Sequence, residues 1–146
     1  GLRYLDKAAV VVGGGVNHRY ALHDGFLIKE NHLKAVDNIG AAILACQQFA
    51  GKHGRFKVMI EVESVSQFEQ AWKANPDRIL FDNMNVDDIN ACASQSDNPI
   101  ELEASGGIDL SNVHEYAKTG VGFISIGRLT HSVQNFDLSL TLVDCG

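Results

Sequence analysis

The sequence lacks the features that mark several large classes of proteins. Only three of its 146 residues are cysteines, and Cys46, Cys92 and Cys145 lie far apart with no CxxC pair among them. This spacing argues against a metal cluster or a disulfide framework. The apolar surroundings of Cys46 and Cys92 instead predict small buried side chains, and we expect a reducing, cytoplasmic location.

Long apolar runs and a surplus of positive charge are also missing. No run reaches the roughly 18 apolar residues that a membrane helix needs, and no charged-then-apolar leader is seen. Lysine and arginine total 12 against 18 acidic residues, which gives a net charge of -6 and an isoelectric point near 5.4. Proteins that coat nucleic acids or bind anionic membranes need the opposite balance. We therefore expect neither partner, although a local basic pocket for a small anion fits the totals.

The apolar residues that are present predict alternating strands and helices. Short runs rich in β-branched or aromatic residues indicate strands at 26–29, 58–62, 78–81, 100–103 and 123–126. Helical spacing of apolar residues marks 2–12, 38–50, 64–74, 86–93 and 109–118. A last alternating run at 138–142 is a further strand candidate. Strands that are separated by helices imply parallel pairing.

This alternation fits a doubly wound sheet or a β/α barrel. No GxGxxG motif follows the first strand, which disfavours the dinucleotide-binding form of the doubly wound sheet. We therefore predict an α/β fold in which residues 1–146 form a single barrel domain. Because a complete eight-stranded barrel needs about 200 residues or more, we expect a partial barrel whose first strand precedes Gly1.

Residues that start and stop helices sharpen these boundaries. Ser64, with Gln67 three residues later, predicts a capped helix start, and Asn85 predicts another. Asp109 is expected to cap the following helix. Gly51 and Gly120 lie where two helices should end.

Polar residues follow each predicted strand where that strand ends. In parallel β/α folds, active sites lie at the carboxyl ends of the strands. A cation, two acids, a hydroxyl with two glycines, and a glycine followed by a histidine should therefore meet at one rim. These residues are Lys29, Glu61, Asp82, Ser105 with Gly106 and Gly107, and Gly127 with His131.

Two of these elements contain glycine and suit an anion. Ser105, Gly106 and Gly107 lie between a strand and a helix, where backbone N–H groups can approach a phosphate closely. An ordinary tight turn is the alternative. Gly127 and His131 form a second such element after the last strand, and paired phosphate sites of this kind occur in β/α barrels. The pair favours phosphate binding.

The charged residues suggest the remaining chemistry. Glu61 and Asp82 could hold Mg²⁺, directly or through water, or bind ribose hydroxyls; the alternative is one salt bridge and one helix cap. His18 and Arg19 follow a glycine run and, with Lys29, predict a positive pocket for carboxylates. Alone, His18 would be read as a surface residue. HExxH and GxSxG motifs are absent, so zinc and serine hydrolase chemistry lack support.

Several motifs, in their order and spacing, resemble the quinolinate phosphoribosyltransferase family over essentially the whole chain. No single motif is as specific as the ordered set. They are GLR at 1–3, GGGVNHR at 13–19, LIKENH at 27–32, EVE at 61–63, LFDNM at 80–84, LEASGGI at 102–108, TGV at 119–121, GRLTHS at 127–132 and DLSL at 137–140.

The resemblance implies an enzyme that joins quinolinate to phosphoribosyl pyrophosphate with Mg²⁺, giving nicotinate mononucleotide, pyrophosphate and carbon dioxide in NAD synthesis. It implies catalytic roles for Lys29, Glu61 and Asp82, the two acids lying near the ribose and the metal. By the same resemblance, quinolinate is bound by His18, Arg19 and Lys29. Phosphoribosyl pyrophosphate is bound by Glu61, Asp82, Ser105, Gly106, Gly107, Gly127 and His131.

The resemblance also implies a homo-oligomer, dimeric or larger, and an N-terminal α/β sandwich domain and first barrel strand outside residues 1–146. Arg128 stands where the family usually has a small residue. Three alternatives stay open at this point: a related pyridine phosphoribosyltransferase, a molybdenum-associated homologue, and an inactive barrel fragment that binds phosphate.

Overall fold

Five parallel strands form one sheet in a computed structural model that describes residues 1–36, 38–95 and 100–143. Each strand pairs with the next one along the chain. The strands are β1 (Gly25–Ile28), β2 (Lys57–Val62), β3 (Arg78–Asp82), β4 (Glu101–Ser105) and β5 (Phe123–Ile124). The predicted α/β class and parallel pairing are confirmed. A doubly wound sheet reverses its strand order at a switch point, so the unbroken order observed here is that of a barrel.

Helices separate the strands, as the sequence predicts. They are α1 (Arg3–Val12), α2 (Glu30–Leu33), α3 (Ile39–His53), α4 (Val65–Ala74), α5 (Val86–Ala93), α6 (Val113–Ala117) and α7 (Arg128–His131). The four-residue helices α2 and α7 were not predicted, because they are too short to show apolar periodicity. No described helix is long and apolar enough to cross a membrane.

The alternating run at 138–142 is not a strand, and this expectation was wrong. Its apolar side chains are exposed, and no described strand lies beside it. Alternation describes which face a side chain would occupy, but a strand also needs a neighbour that accepts and donates its backbone hydrogen bonds.

Two helix boundaries also differ from the predictions. Helix α3 continues past Gly51 and ends before Gly54, whose φ of 136° suits glycine. Helix α6 begins at Val113, because the Asp109 carboxylate accepts hydrogen bonds from the backbone and hydroxyl of Ser111 and forms a turn instead. The caps at Ser64 and Asn85 are as predicted.

The helices cover one face of the sheet with apolar side chains. Ile43, Phe68 and Ile89 of three different helices are fully buried against this face. The strand residues that share the core are Ile28, Val58, Ile60, Val62, Ile79, Phe81, Leu102 and Ala104. Cys92 is buried with them, and desolvation raises the pKa of its thiol to about 11, whereas Cys46 is only partly buried. We call this the helix-covered face.

The opposite face of the same strands carries charge. Side chains alternate along a strand, so Glu61 on β2 points away from the helices, as do Arg78 and Asp82 on β3, and Glu103 and Ser105 on β4. The register pairs Arg78 with Glu101 and Asp82 with Ser105. We call this the charged face, and it presents the predicted site residues together at the carboxyl end of the sheet.

Candidate active site at the carboxyl end of the sheet

Four predicted site residues lie along one rim. Lys29 directly follows β1, whose last residue pairs with Ile60, so Lys29 is level with Glu61. Asp82 ends β3 and lies opposite Ser105, which ends β4. All the strands are parallel, so these side chains share one edge and one face of the sheet.

Lys29 and Glu61 form an ion pair across two strands. The Nζ atom of Lys29 donates to Oε1 of Glu61 at 2.6 Å, and the carboxylate is mostly buried. A charge-assisted hydrogen bond in a partly dry site is stronger than an exposed pair. Glu61 therefore fixes the position of the ammonium group, which stays accessible to a second anion from solvent.

Glu61 and Asp82 are the two carboxylates of the rim, and carboxylates are a ligand type that Mg²⁺ uses. Asp82 has no ion-pair or side-chain hydrogen-bond partner within residues 1–36, 38–95 and 100–143. The same ranges contain no cluster of three or more His, Cys, Asp or Glu side chains suited to direct metal binding. Mg²⁺ commonly uses one or two carboxylates with water and substrate phosphates, which is the donor set that Glu61 and Asp82 offer.

The glycine turn after β4 is held against the loop after β3. Gly106 and Gly107 have φ values of 91° and 62°, which favour glycine. A Cβ atom added to Gly106 would lie only 2.7 Å from the backbone nitrogen of Asn83 and collide with its side-chain amide. Asn83 itself has a φ of 54° and donates its backbone N–H to the carbonyl of Ser105 at 2.9 Å. The rim backbone is thus tightly fixed.

The second glycine element lies beside the first. Ser125 donates its backbone N–H to the carbonyl of Ala104 at 2.8 Å, which joins the chain after β5 to β4. A Cβ atom on Gly127 would meet Nε2 of His131 at 2.8 Å, so these two predicted phosphate ligands are in contact. Arg128 adds a link between the two loops, with its Nη1 atom 3.6 Å from Oδ2 of Asp109.

A cavity of about 460 Å³ opens on the charged face near β4 and β5. Its walls include Lys7, His18, Arg78, Glu103, Ser125 and Gly127. The structure therefore divides the predicted residues into two groups. The rim group is Lys29, Glu61, Asp82 and Ser105, and the cavity group is His18 and Gly127.

His18 faces this cavity with an unsatisfied ring nitrogen. Its Nε2 atom is buried, has no hydrogen-bond partner in the described part of the chain, and lies 3.8 Å from Oε1 of Glu103. Burial lowers the pKa of His18; Glu103 opposes this effect, while Arg78, Arg19 and Lys7 add to it. A neutral imidazole with one free nitrogen suits a polar ligand in the cavity.

Arg19 makes a backbone contact away from Lys29 in this structure. Its Nη1 atom donates to the carbonyl of Gly25 at 3.1 Å, and Gly25 is at the amino end of β1. Arg19 therefore lies near the amino end of β1, whereas Lys29 follows its carboxyl end.

Sequence reasoning missed Arg78, the most connected charged residue of this face. It donates from Nη1 to Glu103 Oε2 and from Nη2 to Glu101 Oε2, both at 2.6 Å. Its guanidinium also lies 4.0 Å from the ring centre of Phe123. A signal was present, because Glu101 and Glu103 alternate within an otherwise apolar strand and need a buried cation.

Comparison with known proteins identifies the family. Residues 1–141 match the family model described as the C-terminal domain of quinolinate phosphoribosyl transferase. A probable nicotinate-nucleotide pyrophosphorylase (carboxylating) from Bacillus subtilis is 42% identical over 96% of this chain and 48% of its own length. A mitochondrial quinolinate phosphoribosyltransferase (decarboxylating) from Nicotiana tabacum is 35% identical over 97% of this chain and 45% of its own length.

Solved structures agree. The crystal structure of NadC from Streptococcus pyogenes superimposes with a TM-score of 0.85 at 35% identity, covering 99% of this chain and 51% of that one. The chain thus spans about half the length of the relatives it matches. With a family model that covers nearly all of its residues, the chain belongs to the quinolinate phosphoribosyltransferase family and corresponds to the C-terminal domain of that family.

Proposed function

We propose that the protein carrying this chain is a quinolinate phosphoribosyltransferase of NAD synthesis. It would join quinolinate to phosphoribosyl pyrophosphate and release pyrophosphate and carbon dioxide, leaving nicotinate mononucleotide. The observation that carries the proposal is the rim itself: in a member of this family, a Lys29–Glu61 pair, the carboxylate of Asp82 and two glycine loops share one edge of a parallel sheet.

Lys29 and His18 suit the two carboxylates of quinolinate. Lys29 presents an ammonium group that Glu61 holds in place, and the free Nε2 of His18 offers a second contact. Their task is to hold the ring so that its nitrogen points at the anomeric carbon of the ribose. Positioning of this kind lowers the barrier without a covalent protein intermediate.

The acids suit the ribose end of the second substrate. As the bond to pyrophosphate breaks, positive charge develops on the ribose, and the nearby carboxylates of Glu61 and Asp82 stabilise it. Their carboxylates would hold Mg²⁺, largely through water, and the ion would neutralise charge on the leaving pyrophosphate. Glu61 and Asp82 also accept hydrogen bonds from the ribose hydroxyls.

The glycine loops suit the phosphates. At Gly106 and Gly107, and again at Gly127, there is no side chain between an anion and the backbone N–H groups. The hydroxyl of Ser105 and the ring of His131 add polar contacts. Carbon dioxide then leaves from the adduct, and the electron pair of the broken bond stays on the ring carbon, where the adjacent cationic nitrogen stabilises it. A proton from solvent then replaces the lost carboxylate, so this step needs no protein nucleophile.

A homo-oligomer in the cytoplasm is part of the proposal. Large apolar side chains are exposed on α1, among them Tyr4, Leu5 and Val12. Exposed apolar area on this scale usually contacts other protein. The free thiols of Cys46 and Cys92 suit a reducing compartment. Analytical ultracentrifugation of the full protein should show a dimer or larger species; a monomer at micromolar concentration would contradict this part.

The decisive experiment replaces Lys29 in the full protein that carries this chain. Lys29→Ala should weaken quinolinate binding about 100-fold, because a charge-assisted contact to the dianion is lost. Isothermal titration calorimetry measures the binding, and release of carbon dioxide from carboxyl-labelled quinolinate measures the reaction. Lys52→Ala, an exposed lysine on α3, is the matched control and should behave as wild type.

Other outcomes would favour the alternative functions. Product formation from nicotinate but not from quinolinate would indicate a different pyridine phosphoribosyltransferase. Phosphate binding without turnover of any pyridine would indicate an inactive relative. Unchanged quinolinate affinity in Lys29→Ala would remove Lys29 from the site.

A further inference from the structure

The charged face contains a buried group of ions that the proposed reaction does not use. Arg78, Glu101 and Glu103 form it, and we call it the Arg78 cluster. The side chain of Glu103 is 1% exposed and that of Arg78 is 12% exposed. Glu101, at the edge of the cluster, is 33% exposed, but ions buried as deeply as Arg78 and Glu103 are costly to desolvate.

Glu103 connects the cluster to both substrate regions. Its Oε2 atom accepts from Arg78, while Oε1 accepts from the hydroxyl of Ser125 and faces Nε2 of His18. Ser125 lies two residues before Gly127, in the predicted phosphate loop. His18 is the predicted quinolinate contact. One carboxylate therefore binds Ser125 of one half of the site and lies 3.8 Å from His18 of the other.

Arg78 in turn fixes Glu103. Its guanidinium binds Glu103 with one nitrogen and Glu101 with two others, at 2.6 to 2.9 Å. Phe123 packs against the plane of the same group. A planar guanidinium group that contacts three side chains cannot rotate freely, and a lysine could not reproduce this geometry.

From this geometry we propose that Arg78 is a positioning residue: by holding Glu103, it aligns His18 for the pyridine carboxylate and Ser125 for the phosphate loop. The inference rests on the proposed function for the identity of the two substrates. Arg78 acts through Glu103, and it is not itself assigned a contact with either substrate.

A purely structural role for the cluster predicts different behaviour. Breaking a buried ion pair by removing one partner destabilises a protein, whereas replacing both partners with neutral groups often does not. If the cluster only supports the fold, a double neutral variant should recover both stability and substrate binding. If the cluster positions the site, stability recovers but substrate binding does not.

The test compares Arg78→Met, Glu103→Gln and the double variant Arg78→Met/Glu103→Gln in the full protein. The double variant should unfold in urea near the wild-type midpoint, yet bind quinolinate about 10-fold or more weakly, since small misplacements of binding groups are costly. KM for phosphoribosyl pyrophosphate should rise with it, while kcat changes less. Arg55→Met, an exposed arginine outside the cluster, is the matched control.

A spectroscopic readout checks that Arg78 and His18 interact. The His18 imidazole can be followed by NMR, with its signals assigned from a His18→Gln spectrum. Arg78 is one of the charges that lower the pKa of His18, after burial, and Glu103 opposes them; Arg19 and Lys7 also face the ring. Arg78→Met should therefore raise the pKa of His18, and Arg55→Met should leave it in place.

The outcomes that overturn the inference are specific. A folded double variant with wild-type affinity and KM would assign the cluster to stability alone. If the double variant does not fold, Arg78→Lys replaces it in the test, because lysine keeps the charge but lacks the planar guanidinium group. Arg78→Lys must then show the rise in KM, and a KM equal to that of wild type would refute the inference. If the wild type releases no carbon dioxide, the proposed function fails. In that case the positioning role can still be tested on its own: an unchanged pKa of His18 in Arg78→Met would refute it.

Discussion

The two faces of the sheet are built from alternate residues of the same strands, and they differ in how much charge they carry. On the helix-covered face, Ile60, Ile79 and Phe81 are fully buried among apolar neighbours. On the charged face, the neighbouring positions include Glu61, Arg78 and Asp82, and the apolar residues between them, Met59 and Leu80, are also buried. Along one strand, a residue that packs in the apolar core is therefore followed directly by one that faces the candidate site.

The energetic terms on the two faces are also unequal. A fully buried Ile or Phe contributes about 1.5 to 3 kcal/mol through the area it removes from water. A buried ion pair such as Arg78–Glu103 contributes little net stability, since desolvation offsets the attraction. We therefore expect the helix-covered face to determine the free energy of unfolding, which leaves the charged face able to carry functional groups.

The largest expected effect comes from truncating a buried side chain on the helix-covered face. Phe81→Ala removes a fully buried ring that lies 5.5 Å from the ring of Phe68, and such changes cost about 3 to 5 kcal/mol. Urea unfolding followed by circular dichroism measures the loss. Asp82→Asn, the next residue and on the other face, is the matched control and should change the free energy of unfolding by less than about 1 kcal/mol. Equal losses in the two variants would refute the division between faces.

An intermediate effect is expected where the charged face meets the rim. Gly106→Ala places a methyl group against Asn83 and forces an alanine into a left-handed φ of 91°. We expect a cost of about 1 to 3 kcal/mol together with weaker binding of inorganic phosphate, because the two loops must separate. Gly51→Ala, within α3 with open space around its Cβ position, should instead be neutral or stabilising. Calorimetric titration with phosphate would contradict the assignment if Gly106→Ala bound as wild type does.

The helix-covered face could be predicted almost completely from the sequence. Short runs of β-branched or aromatic residues located all five strands, and period-3.6 apolar patterns located the longer helices, because burial against one core creates both signals. The caps at Ser64 and Asn85 followed from local chemistry. What failed there was also local: Asp109 forms its own turn, and Gly51 is tolerated inside a helix at a cost of only about 1 kcal/mol.

The charged face was predictable only where a simple rule applies. The rule that strand ends share a rim placed Lys29, Glu61 and Asp82 together. Arg19 and Arg78 did not follow from it, because their partners depend on which side chains and carbonyls are left free once the sheet has formed. Long-range pairing of this kind leaves no periodic signal in the sequence.

The smallest effect concerns pH and belongs to the charged face alone. Burial would raise the pKa of Glu101, but hydrogen bonds and attraction from Lys57 and Arg78 outweigh it and lower the pKa. Because the carboxyl pKa is lower in the folded chain than in the unfolded one, ionised Glu101 favours folding above the unfolded value of about 4.3. That contribution is lost as pH falls through the lowered pKa.

In Glu101→Gln, the free energy of unfolding should therefore fall less steeply than in wild type as the solution becomes acidic. The difference between wild type and variant should shrink below about pH 4 and stay within about 1 kcal/mol at neutral pH, since the pair is partly exposed and screened by solvent. Glu69→Gln, on the exposed side of α4, should give a curve parallel to that of wild type. Urea midpoints between pH 3 and 7 measure both. A parallel curve for Glu101→Gln would mean that the charged face adds no pH-dependent stability through this residue, and that its ions serve the site alone.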